Sequence, residues 1–207
     1  MSRPALPGPH LLVIQRRGGA SRGGVAIMLW ALAGCVTVLA PPRLEHDAEM
    51  IYLLDHGRHR SLVLPDEQGG AVRWAYGDWT WFAEGDTGFP QAVRALLWPT
   101  EAALGRQSLE AWHSPAALKR QVPESFVQVL VLEAPAPAVR RLAERLDALY
   151  RAGHEQAIYN PDFGLTFVPH PERYWIFNNS NSVTAGWLES LGVEVRGSVW
   201  FSVWRVP

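Results

Sequence analysis

Two short stretches of the chain carry side chains whose chemistry and spacing could form a site. His56 and His59 flank Gly57 and Arg58 between two strand-like segments. A histidine titrates near neutral pH, so either one could serve as a general base. The alternative is that both are incidental residues of a solvated loop. Both could also ligate a metal, but no second closely spaced pair of ligand-type residues accompanies them, and we predict no metal and no cofactor.

The second stretch is the polar run at residues 178–182, which leads into an apolar periodicity. Val183, Trp187 and Leu191 recur every fourth residue and predict one face of a helix, and Gly192 predicts its end. Asparagine and serine are good helix N-caps, and the first turn of a helix favours an anion or a nucleophile. These polar residues therefore either cap a core helix or begin a site.

The segments around these stretches predict an α+β domain. Apolar, β-favouring runs predict strands at 50–54, 59–64, 71–76, 126–132, 162–168, 172–178, 193–196 and 199–206. Residues 136–152 have the periodicity of an amphipathic helix that ends at Gly153. Strands and helices do not alternate regularly, which favours an antiparallel sheet with packed helices.

Residues 79–121 differ from the rest of the chain, because aromatic side chains are scattered among glycines and prolines. We predict short helices at 91–98 and 100–104 within a functional flap, since a disordered linker would lack so many aromatics. The whole chain has ten tryptophans, which indicate an aromatic-rich core or a groove for carbohydrate or peptide.

The N-terminal segment has the pattern of an export signal. Arg16, Arg17 and Arg22 precede an apolar run, and Leu32-Ala33-Gly34-Cys35 resembles a bacterial lipobox, in which the cysteine is lipidated. The apolar run is shorter than a full membrane span, and an uncleaved anchor or a chance apolar segment are the alternatives. Cys35 is the only cysteine, so the chain can form no internal disulfide.

These features predict three parts: a signal or lipoprotein anchor at 1–40, a tether at 41–49 and a domain at 50–207. The formal net charge of −1 over 207 residues leaves no electrostatic footprint for nucleic acid. We therefore expect the membrane as the partner, through the lipid or the apolar anchor. The domain would belong to the bacterial cell envelope and face the periplasm or the exterior.

Four segments carry a resemblance to a known family. They are residues 52–65, Tyr76-Gly77-Asp78, Leu97-Trp98-Pro99-Thr100 and residues 179–185. In this order they resemble the motifs of a bacterial family of exported proteins of unknown function, described as a conserved hypothetical of urease gene regions. Its motifs include His-Gly-Trp-His-Thr-Gly and Asn-Cys-Asn-Thr-Trp-Thr-Ala. That family is similar in motif order to permuted papain-like hydrolases and acyltransferases of the NlpC type.

The resemblance implies a papain-like α+β fold with a nucleophile at a helix N-terminus and a histidine base from an early strand. Carried over to this chain, Ser180 takes the nucleophile position, His59 is the base and Asp78 is an orienting group. Serine stands here where the family has cysteine. A serine hydroxyl is a weaker nucleophile unless a base takes its proton in good geometry.

The same resemblance assigns neighbouring residues to the site. Asn179 and the backbone N–H groups after Ser180 would stabilise an oxyanion, and Asn181 and His56 would lie beside them. Three functions stay open: a catalytically silent relative that binds a ligand, an active serine hydrolase or acyltransferase, and a purely structural lipoprotein. The implied ligand or substrate is a cell-wall peptide or a lipid.

Overall fold

The structure, a computed structural model, describes residues 36–43, 47–86, 88, 98–200 and 203–207. The predicted export signal and Cys35 lie outside these residues. Within the described part of the chain, no helix is both long enough and apolar enough to cross a membrane.

The described residues form a mixed α+β domain dominated by strands. The strands are β1 (Val36–Ala40), β2 (Ala48–Asp55), β3 (Arg60–Pro65), β4 (Ala71–Asp78), β5 (Thr100–Leu109), β6 (Gln128–Pro135), β7 (Ile158–Asn160), β8 (Leu165–Tyr174), β9 (Glu194–Gly197) and β10 (Val203–Arg205). The helices are α1 (Trp79–Phe82), α2 (Pro115–Gln121), α3 (Ala136–Ala152) and α4 (Ser180–Ser190), with a 3-10 turn at His154–Gln156.

Seven strands form one sheet in the order β6-β2-β3-β4-β5-β8-β7, and every neighbouring pair is antiparallel. The antiparallel sheet predicted from the sequence is confirmed, as are the strands at its centre. Tyr52 pairs with Val63, and Leu62 pairs with Trp74, so β2, β3 and β4 form a meander. The centre of this sheet positions both histidines, which lie in the β2–β3 connection.

The helix predicted at 100–104 is wrong, because those residues begin β5, a central strand between β4 and β8. Their composition suits a helix, but pairing with both neighbours overrides that local preference. Gly105 lies at a close approach in this strand, where a Cβ atom would stand 2.5 Å from a ring carbon of Phe167. Of the helix predicted at 91–98, only Trp98 lies within the described residues.

The two faces of the large sheet bury different side chains. Alternate residues such as Ile51, Leu62 and Trp74 face α3, α4 and the second, smaller sheet. The other face packs against α1, α2 and loops, through residues such as Val63 and Phe167. Each fully buried large apolar side chain contributes roughly 1.5–3 kcal/mol relative to exposure. The strands therefore have a core on both sides.

Three strands form the smaller sheet, in which β1 lies between β10, to which it is parallel, and β9, to which it is antiparallel. Leu39 and Trp204 are 0 % exposed and belong to the main core. The folded unit thus includes Val36–Ala40, which we assigned to the anchor, and residues 48–49, which we assigned to the tether. A short apolar run fits a buried strand as well as an anchor, so periodicity could not separate the two.

Both long helices follow the sequence pattern. The amphipathic helix predicted at 136–152 is α3, with Val139, Leu142 and Leu146 buried. The end of α4 is also as predicted, since Gly192 has a φ of 82°. The N–H of Gly192 donates to the carbonyl of Glu189 at 2.9 Å, which is part of a Schellman motif that satisfies the last carbonyls of the helix.

Candidate functional site

The polar run predicted as a helix start begins α4 in the structure, with Asn179 as its N-cap. Oδ1 of Asn179 accepts from the backbone N–H groups of Asn181 at 3.0 Å and Ser182 at 3.1 Å. Oγ of Ser182 accepts in return from the N–H of Asn179 at 2.8 Å, which completes a capping box. The Nδ2 group of Asn179 donates to the carbonyl of Ile176 at 2.7 Å. Both the oxygen and the nitrogen of the Asn179 side-chain amide therefore form hydrogen bonds with the backbone at the start of the helix.

Ser180 is the first residue of α4 and is 4 % exposed. Its Oγ finds no hydrogen-bond partner among the described residues. The backbone of Ser180 hydrogen-bonds Tyr174, whose pKa is raised to about 12 by burial and by the nearby charge of Asp78. A nucleophilic serine needs a base to accept its proton, and no described side chain does so here.

Asn181 lies in a buried link between α4 and β3. Its Oδ1 accepts from Nη1 of Arg60 at 2.9 Å, and its Nδ2 donates to the carbonyl of Trp200 at 2.9 Å. The same guanidinium pairs with Asp55 at 3.0 Å and lies 4.5 Å from the centroid of the Trp204 ring. Asn181 therefore joins the helix start to β3 and to the β9–β10 connection.

Asp78 caps the short helix α1. One of its oxygens accepts from the N–H of Trp81 at 2.9 Å, and the other accepts from the hydroxyl of Thr100. These contacts tie α1 to the start of β5. The carboxylate that holds His59 is that of Glu124, not that of Asp78.

His56 is buried, with 1 % of its side chain exposed. Its Nδ1 lies 3.0 Å from the carbonyl oxygen of Ser125, and its Nε2 lies 2.9 Å from Oγ of Ser61. A carbonyl can only accept, so we assign the proton to Nδ1, and Nε2 then accepts from the Ser61 hydroxyl. Burial, and after it the charge of Arg73, lowers the pKa of His56 to about 3. His56 is therefore neutral at neutral pH.

His59 stacks on His56, with ring centroids 4.8 Å apart and planes at 10°. Its Nε2 donates to Oε1 of Glu124 at 2.7 Å. The ring also packs edge-on against Phe82, at a centroid distance of 5.0 Å. Phe82 belongs to the cluster on the sheet face opposite α4. The side chain of His59 and the start of α4 thus lie on different faces of the large sheet.

Arg73 holds this group of side chains together from the middle of β4. It is 0 % exposed, and Nη2 donates to Oε2 of Glu124 at 2.5 Å. Nε donates to Oγ of Ser61 at 2.9 Å, while Nη1 donates to Oε1 of Gln107 at 3.1 Å and to the carbonyl of Phe163 at 2.9 Å. Each guanidinium nitrogen has a partner, so the buried charge is compensated.

Glu124 accepts hydrogen bonds from Arg73 and His59, and Nδ1 of His56 lies 3.3 Å from its Oε2. Burial alone would raise its pKa, but the hydrogen bond from His59 and the charges of His59 and Arg73 outweigh burial and lower the pKa. Glu124 is therefore the anion of a buried network. We call the group of His56, His59, Ser61, Arg73 and Glu124 the histidine–arginine network.

The network contains the connectivity of a serine–histidine–acid relay. Ser61 Oγ meets Nε2 of His56 at 2.9 Å, and Nδ1 of His56 lies 3.3 Å from Oε2 of Glu124. Ser61 is 0 % exposed, however, and its Oγ already accepts from Arg73. A histidine with a pKa of about 3 is also a very weak base at neutral pH. The relay geometry therefore does not give a working nucleophile.

The network also brings three groups that could hold a metal ion, His56, His59 and Glu124, within 4.8 Å of one another. A metal lies close to the plane of each imidazole that binds it, and two rings stacked at 10° cannot aim their lone pairs at one point. The guanidinium of Arg73 on the same carboxylate would also repel a cation. Metal binding would require both rings to turn.

A cleft of about 950 Å³ lies at the other end of the sheet, between α3 and the β3–β4 turn. Neither Ser180 nor His59 lines it. Its floor is apolar and includes Leu64, Val72 and Val139. Its rim carries six carboxylates, from Glu49, Asp66, Glu67, Glu110, Glu144 and Asp147, and three guanidinium groups, from Arg106, Arg140 and Arg151. The excess of carboxylates favours a ligand that carries amino groups.

Comparison with known proteins leaves the family open. No protein-family model, no curated protein and no solved structure matches this chain.

Five of the nine tryptophans within the described residues are buried, including two from the predicted flap. Trp79 and Trp112 from the predicted flap are 8 % and 5 % exposed, and Trp74, Trp187 and Trp204 are buried as well. Trp79 packs in one core cluster and Trp112 in another. The described aromatics of the predicted flap thus mainly fill core, although Trp98 is 64 % exposed.

The sequence did not predict three members of the histidine–arginine network: Ser61, Arg73 and Glu124. The one available signal was an arginine inside an alternating strand, at Arg73, on a position that must face a core. A buried arginine needs an acidic partner, but nothing in the sequence indicates which acidic residue forms the ion pair with it in the folded chain.

Proposed function

We propose that this protein is an envelope lipoprotein whose domain is a catalytically silent relative of permuted papain-like hydrolases of the NlpC type, and that it works as a ligand-binding module. The observation that carries the proposal is the separation of Ser180 from the histidines. Ser180 Oγ is buried without a partner among the described residues, while His59 packs on Phe82 at the opposite face of the large sheet and binds Glu124.

No residue that the structure describes places a base beside Ser180, which argues against hydrolysis. Serine attacks a carbonyl only when a base removes its proton in good geometry. The side chain of His59 packs on Phe82, on the face of the large sheet opposite α4, and both nitrogens of His56 have partners. The N-terminal end of a helix can stabilise a preformed thiolate, but it does little for a neutral hydroxyl.

The cleft beside α3 supports the binding role. Its apolar floor can cover the body of a ligand, and its acidic rim can bind amino groups. A cell-wall peptide with a free amine fits this chemistry. In the mature protein the lipid on Cys35 would hold the domain at the membrane, facing the periplasm or the exterior.

Labelling with a fluorophosphonate probe tests the catalytic part of the proposal on the purified full chain. We expect no adduct at Ser180 by intact mass and peptide mapping, and no difference from Ser180→Ala in ester hydrolysis. An adduct that disappears in both Ser180→Ala and His59→Gln would establish the active serine hydrolase instead.

Calorimetric titration tests the binding part. A short peptide with a free lysine amine should bind, and its acetylated form should bind more weakly. Glu144→Gln should weaken binding of the free amine, whereas Arg173→Gln, on an exposed position outside the cleft, should not. Equal affinity for both peptides would show that the acidic rim does not bind the amino group.

Fractionation tests the anchor. We expect the full chain in the membrane fraction and Cys35→Ser in the soluble fraction. Membrane retention of Cys35→Ser would favour an uncleaved apolar anchor, and a soluble wild-type chain would overturn the anchoring proposal.

A further inference from the structure

Aromatic side chains form an exposed patch immediately before α4 and at the β9–β10 connection. Phe177 is 64 % exposed and Trp175 is 37 % exposed, and their ring centroids lie 4.9 Å apart. The ring of Trp200 meets Phe177 at 5.4 Å. We call Trp175, Phe177 and Trp200 the aromatic patch. Phe177 packs on both other rings, and the exposed rings of Trp175 and Phe177 beside the half-buried Trp200 form a surface that water solvates poorly.

The register of the smaller sheet places this patch at the N-terminal end of β1. Val36 pairs with Val203 in the parallel ladder, and the hydroxyl of Thr37 donates to the carbonyl of Ser198 at 2.7 Å. Trp200 lies between these two partner residues in the chain. Val203 is itself 50 % exposed. The start of β1, the β9–β10 connection and the aromatic patch therefore share one end of the domain.

The chain leaves almost no distance between this end and the predicted anchor. β1 begins at Val36, and Cys35 is bonded to it, with about 3.8 Å between successive Cα atoms. An acylated cysteine keeps its backbone at the level of the lipid headgroups. No linker is present that could lift this end of the domain away from the bilayer.

We infer that the aromatic patch inserts into the headgroup region of the bilayer and seats the domain on the membrane in a fixed orientation. Tryptophan favours the membrane–water interface, because its ring is apolar while its N–H can still hydrogen-bond. The inference rests on the proposed anchoring of the chain. It adds a second contact to the lipid, which fixes the orientation of the domain beyond what the anchor alone does.

The orientation has a consequence for the cleft. The cleft lies at the β3–β4 turn, at the opposite end of the strands from Arg60, which contacts the start of α4. A strand of six residues spans about 20 Å, at roughly 3.3 Å per residue. With the aromatic patch on the bilayer, the cleft opens away from the membrane, toward the cell wall or the medium.

A site-specific fluorophore tests this orientation in the lipidated full chain, reconstituted into phosphatidylcholine vesicles with or without brominated lipid. Lipidation blocks Cys35, which is the only cysteine, so an introduced cysteine is the only free thiol. We expect a label on Val203→Cys to lose most of its emission to brominated lipid. The matched label on Gln68→Cys, at the exposed β3–β4 turn, should lose almost none.

A second variant separates the aromatic patch from simple nearness to the anchor. Adding Phe177→Glu to the Val203→Cys chain should restore most of the emission, while the chain stays on the vesicles. Unchanged quenching in that variant would show that the anchor alone holds this end down, and would overturn the role of the patch. Equal quenching at positions 203 and 68 would overturn the orientation. Failure of the wild-type chain to stay on vesicles would instead count against the proposed anchoring.

Discussion

Nη2 of Arg73 donates to Oε2 of Glu124 at 2.5 Å, although the two residues are 51 positions apart in the chain. Arg73 has no exposed side-chain surface, and 12 % of the Glu124 side chain is exposed. The pair joins the middle of the large sheet to the segment that follows α2. His56, His59 and Ser61 complete the histidine–arginine network around it. The network holds the two histidines in place without leaving either one available to Ser180.

Removing the arginine should destabilise the domain strongly. Arg73→Met leaves the Glu124 carboxylate buried without its cation, and the loss of one partner of a buried pair costs about 3–5 kcal/mol. The double variant Arg73→Met, Glu124→Gln should recover part of that loss. Urea denaturation measures both free energies of unfolding.

The exposed pair Arg196 and Glu194 supplies the control. Arg196→Met should leave the urea midpoint close to that of the wild type, because water screens an exposed pair. A similar loss in Arg73→Met and Arg196→Met would contradict the role of the buried network.

Acid should lower the stability of the domain over the pH range between the folded and the unfolded pKa of His56. Its folded pKa is about 3 and its ordinary value is 6.5, so between these values the unfolded chain binds a proton that the folded chain does not. Stability therefore rises with pH through this window and is lost as pH falls from 6.5 toward 3, by on the order of 4 kcal/mol. The lowered pKa of Glu124 adds a loss of the same sign.

Denaturation at a series of pH values measures this dependence. His56→Gln should reduce the slope between pH 6.5 and 4, whereas His154→Gln, at an exposed position, should not. An identical slope in wild type and His56→Gln would contradict the assignment to His56.

Ser180→Ala should keep or increase stability. The buried hydroxyl has no partner among the described residues, and burying an unpaired polar group costs roughly 1–3 kcal/mol. Thr184→Val is a matched variant on the same helix, because the Thr184 hydroxyl is also buried without a partner. A clear loss of stability in Ser180→Ala alone would show that the hydroxyl makes an interaction that the structure does not contain.

The N-cap of α4 should contribute measurably. Asn179→Ala removes the acceptor for two backbone N–H groups and should cost about 1 kcal/mol. Asn179→Ser should lose much less, since serine is also a good N-cap. Thermal or urea unfolding compares the two, and equal losses would contradict a capping role for this side chain.

Local patterns were enough to predict the parts of the fold that depend on near neighbours. The helix α3 follows from the spacing of Val139, Leu142 and Leu146, and the end of α4 follows from Gly192. The start of β5 could not be predicted in this way, because its composition favours a helix and only pairing with β4 and β8 makes it a strand.

In the candidate site too, the features that depend on local sequence were predicted and those that depend on long-range contacts were not. The sequence located His56, His59 and the cap at Asn179, because each lies in a recognisable local motif. It did not indicate that Glu124 would hold His59, because long-range folding decides which carboxylate meets a histidine. It also did not indicate that Ser180 and His59 would face different sides of the large sheet.

The central claim is that His56 and His59 belong to a buried structural network rather than to a catalytic site. Long-range 1H–15N NMR spectra of the histidine rings over a pH series test it most directly. We predict that His56 keeps a neutral ring with the proton on Nδ1 from pH 8 to the onset of acid unfolding. Titration of His56 near its ordinary pKa of 6.5 in the folded protein, or a proton on Nε2, would contradict the account.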